Sequence, residues 1–175
     1  MNTGEVIIIL LRLIVPLAIF RYPLAGGIAA MLLDGVDVVL IELIPGGSFG
    51  DHYHTLDKLL DSYYLTIELL VALRWSNPYA KWPAVGLFVY RAVGVVLFEL
   101  TQRRLALFIF PNLFENWWLY VLIVRRFIPR LEPRSTRSVV IPLLLLLVPK
   151  MVQEYILHFA EAQPWNFIKE QMGLR

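Results

Sequence analysis

Six long apolar segments occupy most of the chain: Val6 to Phe20, Leu24 to Leu43, Leu56 to Leu73, Trp82 to Thr101, Leu105 to Val124 and Ser138 to Phe159. Each approaches the roughly 20 residues that an α-helix needs to cross the hydrocarbon of a bilayer. They are too long and too continuously apolar for barrel strands, which alternate over about ten residues. Backbone groups in lipid must be satisfied within the segment, so the expected fold is all-α, a polytopic membrane helical bundle of about six transmembrane helices. The linkers between segments are too short for a soluble domain, so residues 1–175 read as a single integral membrane domain. With 58% hydrophobic and 17% charged residues, the chain exceeds the ~45–50% apolar share of soluble domains. The expected location is multi-pass in the cell (inner) membrane. Met1 to Glu5 lacks the basic start of a signal peptide, so the first apolar run is expected to be retained.

The chain has no cysteine, which excludes thiol catalysis, disulfides and thiolate metal sites. Its net charge of +2 comes from arginines in linkers and not from a basic groove. Nucleic acid is therefore not an expected partner.

The functional information lies in acidic residues placed inside apolar segments. Asp34 and Asp37 are three apart in the second segment and share a helical face, with Gly27 and Ala30 earlier on the same stripe. Small residues there let another backbone approach. In the third segment His54, Asp57, Asp61, Tyr64 and Glu68 fall at offsets of 0, 3, 7, 10 and 14, a single polar stripe. A charge at the bilayer centre costs roughly 2.5 to 3.5 kcal/mol on insertion scales, and clustered carboxylates do not stay ionised together without cations. Two short-linked antiparallel helices can aim Asp34 and Asp37 at Asp57 and Asp61 across a gap suited to one or two divalent ions. All-oxygen ligation favours magnesium, manganese or calcium over zinc. The competing expectation is that the aspartates are wetted at a helix end or paired with Arg12 or Arg91.

The pairs Asp34-Gly-Val-Asp37 and Asp57-Lys-Leu-Leu-Asp61 resemble the signature of the CDP-alcohol phosphotransferase family, D-x-x-D-G-x-x-A-R-x(8,9)-G-x-x-x-D-x-x-x-D. Leu10-Leu-Arg12-Leu-Ile-Val-Pro16 also looks like that family's arginine-bearing first helix. The chain departs from the signature at Val38, Ile41, Glu42 and Tyr53, where the family has residues that admit the cytidine nucleotide and pair with its phosphates. The resemblance implies a six-helix membrane enzyme of phospholipid synthesis. It implies that Asp34, Asp37 and Asp57 hold Mg2+ or Mn2+, as one or two ions. Asp61 then completes the metal site or takes the proton from the attacking alcohol. The expected function is a divergent, divalent-metal-dependent phosphotransferase-like protein of lipid metabolism acting on a membrane lipid or lipid phosphate. A non-enzymatic membrane subunit or lipid- or ion-binding protein on the same fold is the alternative, and an ion-conducting role a third. A homodimer, or a place in a membrane complex, fits either of the first two.

Other polar groups lie within or beside the segments. Arg91 can bind a lipid or diphosphate group or pair with an aspartate or Glu68, and Arg103 and Arg104 can hold a phosphate or anchor the interface. Lys150, Glu154 and His158 share a face, and a Lys150 to Glu154 pair is expected there before metal ligation. Trp75, Tyr79, Trp82, Trp117, Trp118 and Tyr120 read as interfacial anchors. Pro111 is expected to kink the fifth segment, with Asn112 and Glu115 re-satisfying freed backbone groups. The five arginines of the linker 125–137 place that side in the cytoplasm, together with Arg21, Arg74 and Lys81. The acidic ends of the second and third segments then face the other side, whereas the resembled family opens its site to the cytoplasm. A re-entrant segment near Pro111, or an orientation unlike the family's, resolves the conflict.

Overall fold

The computed structural model describes residues 3–43, 53–103 and 105–158, all of them helix, turn or coil without a strand. In order the elements are α1 (Thr3–Ile14), a 3-10 helix η1 (Val15–Phe20), α2 (Pro23–Leu43), α3 (Tyr53–Leu73), α4 (Pro78–Thr101), α5 (Leu105–Ile109), α6 (Leu113–Phe127), a 3-10 turn η2 (Pro129–Leu131) and α7 (Thr136–His158). Contacts group the described residues into two compact units, the first up to Glu68 and the second from Leu69 onward.

In the first unit the first apolar segment divides into two helices. Pro16 has no N–H for the carbonyl of Arg12 and its ring crowds the preceding turn, so the α-helix gives way to η1. The 12 residues of α1 rise about 18 Å, well short of a ~30 Å hydrocarbon core. The polarity of α1 is inverted relative to a soluble helix. Glu5, Ile8, Arg12 and then Pro16 form the buried stripe, while Val6, Ile7, Leu10, Leu11, Leu13 and Ile14 point outward. Charge inside and aliphatic groups outside is stable only where the surroundings are less polar than the interior.

Tyr22 N–H donates to the Ala18 carbonyl (2.8 Å), and Pro23 then opens α2 at the position where its missing N–H costs nothing. α2 lies against η1 at Gly26, where a Cβ would sit 2.6 Å from the Ile19 nitrogen and 2.7 Å from the Ala18 carbonyl carbon. Gly27 and Ala30, the small residues expected to admit a neighbour, are buried as well.

In the second unit, three helical stretches are long and apolar enough to cross a membrane: Pro78–Thr101, Leu105–Phe127 and Thr136–Tyr155. Only 11% of the first and 17% of the third is buried, so most of their aliphatic surface needs a non-aqueous solvent. α7 tolerates Pro142 and Pro149 in its interior, which fits a bilayer span better than an isolated aqueous helix. Ser135 and Ser138 bound its start reciprocally, each hydroxyl accepting from the other's backbone N–H. α4 begins at Asn77, whose side chain accepts from the Tyr79 N–H at 2.9 Å, followed by Pro78. It ends at Gln102, in the left-handed conformation with φ 53°.

The core of this unit is aromatic: Phe114, Trp117, Trp118 and Val121 are fully buried on one side of α6. Trp117 and Trp118 are therefore not interfacial anchors as expected, and Trp117 Nε1 donates to the Ala80 carbonyl at 3.0 Å. Ala80, which receives that bond, and Ala84 are both fully buried on α4. Trp75 is also buried, beneath the Arg125 guanidinium 4.9 Å from its ring centroid. Tyr79 and Trp82 are exposed, as an anchor role requires.

Candidate functional site: four aspartates around one arginine

The acidic residues of α2 and α3 converge. The guanidinium of Arg12, from α1, sits among all four: Nη1 donates to Asp37 Oδ2 and Asp57 Oδ1, and Nη2 to Asp34 Oδ1 and Asp61 Oδ1. The three-residue step on α2 and the four-residue step on α3 each put two carboxylates on one face, which is why four bonds can meet at one planar group. Arg12 and Asp37 are buried, with side chains 3% exposed, while Asp34, Asp57 and Asp61 are exposed by 30%, 35% and 38%. The cluster thus has a sealed inner pair and an accessible outer three. Tyr63 O–H donates to the Leu13 carbonyl at 3.0 Å, which ties the segment carrying Arg12 to α3.

One guanidinium balances one of four carboxylate charges, leaving a deficit to be met by protons or further cations. The donor set suits a hard divalent cation. Asp34, Asp57 and Asp61 each offer an oxygen lying within 4.8 Å of the others, compatible with ligands about 4 to 5 Å apart across one hard ion. The Arg12 bonds use one oxygen of each carboxylate, so a second oxygen on each can serve as a ligand. Asp37 is enclosed with Arg12, so the outer three aspartates are the ones open to an entering ion.

The other expected site residues are placed differently. Arg91, on α4, donates to the Phe110 carbonyl at 3.0 Å, and Tyr90 O–H donates to the Ile109 carbonyl at 2.5 Å. Both carbonyls lie where the fifth apolar segment breaks: the expected kink at Pro111 is a gap between α5 and α6. Two of the freed carbonyls are thus taken by α4, and Asn112 Nδ2 donates to Glu115 Oε2 at 2.8 Å. Gly94 makes room for Phe110, since a Cβ there would overlap the Phe110 side chain. Arg103 is exposed at the end of α4. Lys150 and Glu154 pair at 3.3 Å as expected. Arg104, residues 44–52 with His52, and the side chains of Val38, Ile41, Glu42, Tyr53, His54 and His158 lie outside the described residues.

Two contributors to the site carried no pattern in the sequence. Tyr63 falls off the polar stripe of α3, and its hydroxyl acts on a backbone carbonyl whose position only the fold defines. Gly26 lies one residue off the small-residue stripe of α2, yet it sets the approach to η1. Comparison with family models, curated proteins and solved structures found no match for this chain.

Proposed function

We propose that the protein is a multi-pass membrane protein with a divalent-cation-dependent, phosphotransferase-like site formed by Asp34, Asp37, Asp57 and Asp61, acting on a lipid or lipid phosphate. The observation that carries this reading is the convergence of four carboxylates with three of them accessible, a charge excess that Arg12 only partly offsets. Divalent ions bound there supply neutralisation of a diphosphate's charge. In this reading the accessible Asp34 and Asp57 hold the ions first, and the enclosed Asp37 completes the site behind them. Asp61, the most exposed of the four, accepts the proton as an acceptor hydroxyl forms its bond to phosphorus and the bond to the leaving phosphate breaks. Arg12 holds α1 against both acidic helices and keeps the carboxylates gathered between turnovers.

The test is metal-dependent CMP release from CDP-diacylglycerol or CDP-linked alcohols by the purified chain in lipid. Release by the native protein and its loss in Asp61→Asn support the proposal. No release across a donor panel, with no Mn2+ bound, refutes it.

The four-fold engagement of Arg12 favours a second reading, a non-enzymatic membrane protein in which the arginine is a permanent counter-ion and the cluster joins α1, α2 and α3. In that case Mg2+ and Mn2+ leave thermal stability unchanged, and Asp61→Asn alters stability only.

A further inference from the structure

We propose that the exposed arginines of residues 126–137, with the groove at the starts of α4 and α7, form a binding site for an anionic phospholipid, independent of the aspartate cluster. The site rests on α4, the stretch of α5 and α6, and α7 being membrane spans: α4 starts at Pro78, α6 ends at Phe127 and α7 starts at Thr136. These ends are tied into one layer. Asn77 Nδ2 donates to Glu132 Oε1 at 3.1 Å and to the Pro133 carbonyl at 2.8 Å, and Arg125 pairs with Glu132 at 2.8 Å while covering Trp75. Arg125 is thereby committed to the fold.

Arg126, Arg130, Arg134 and Arg137 are instead exposed; Arg134 also acts through space on Glu132, and among the described residues no side-chain ion pair within 4 Å engages Arg126, Arg130 or Arg137. Between them Phe127, Ile128 and Leu131 are exposed too, at 67%, 48% and 56%. Arginine alternating with bare aliphatic and aromatic groups on a pinned loop suits neither water nor hydrocarbon alone; it suits the headgroup layer. Beside it an apolar groove of about 310 Å³ is lined by Pro78, Tyr79, Trp82, Pro83, Thr136 and Val139. Thr136 adjoins Arg137 in the chain, so basic groups for a phosphate neighbour an apolar channel for an acyl chain. Exposed charge next in the chain to an apolar groove matches a lipid more closely than a free anion.

The experiment is native mass spectrometry of the full chain released from mixed micelles of phosphatidylglycerol and phosphatidylcholine. The native protein is expected to retain phosphatidylglycerol preferentially, with retention weakened roughly fivefold per arginine replaced by glutamine. The variant Arg126→Gln/Arg130→Gln/Arg134→Gln/Arg137→Gln should lose the preference, while Arg21→Gln should keep it. If the fourfold variant fails to fold by circular dichroism, single Arg130→Gln and Arg137→Gln variants carry the test through their graded loss. Thr136→Trp, which fills the groove, should reduce retention with all arginines present. Equal retention of the two lipids by the native protein, or an unchanged preference in the arginine variants, overturns the proposal. Displacement of phosphatidylglycerol by an equal concentration of inorganic phosphate overturns it also, because the arginines would then bind the anion without the chain.

Discussion

Arg12 is the residue on which the first unit turns. It is buried with Asp37 and bonded to three further carboxylates, so removing it leaves uncompensated negative charge in the interior. Breaking a buried pair in this way costs about 3 to 5 kcal/mol. Arg12→Gln should therefore lower the thermal midpoint in detergent sharply. If the cluster takes divalent cations, added Mg2+ or Mn2+ should restore part of that loss by mass action; no restoration at saturating metal argues for the counter-ion role alone. A different acid-sensitive residue lies in the linker. The Asn77 hydrogen bond, and then Arg125, hold the Glu132 carboxyl below its ordinary value of 4.5. A folded pKa below the unfolded one means that the anchor stabilises the protein fully above that value and is lost as pH falls through the folded pKa. Glu132→Gln should flatten this acid-side loss, read as the thermal midpoint against pH.

At the scale of elements, glycines in α2 separate close packing from open space. A Cβ at Gly26 meets backbone atoms of η1 that cannot rotate away, whereas at Gly35 it meets nothing within 4 Å. Gly26→Ala should destabilise by about 1 to 3 kcal/mol, and Gly35→Ala should be neutral or stabilising by up to about 1 kcal/mol; paired thermal melts check both. The sequence was legible here where periodicity carries the information. Asp34 with Asp37, and Asp57 with Asp61, are assigned to common faces by the sequence itself, because helical spacing alone sets which side chains are neighbours. It was less legible at Pro16 and Pro111. Proline marks a disruption, but whether the chain kinks, tightens to a 3-10 helix or breaks depends on which neighbour receives the freed carbonyls. Near Pro111 those neighbours are Tyr90 and Arg91, each nineteen residues from the carbonyl it binds. Nor could local pattern separate Trp117 and Trp118, which fill a core, from Trp82, which faces outward.

For the whole molecule, the absence of cysteine makes single-cysteine labelling clean. If the basic linker lies in the cytoplasm, Lys81→Cys, Arg126→Cys and Arg137→Cys should resist an impermeant maleimide in intact cells, and Thr101→Cys, at the opposite end of α4, should react. The reverse pattern inverts the orientation and removes the topological conflict with the resembled family. Composition and apolar segment length by themselves determined an all-helical chain suited to lipid, since a backbone in hydrocarbon must bond to itself. Spacing determined which aspartates could act together. Only the tertiary structure decided that Arg12 stands at their centre, because that meeting joins residues 22 to 49 positions apart. Helical periodicity is local, whereas charge compensation across three helices depends on how they pack.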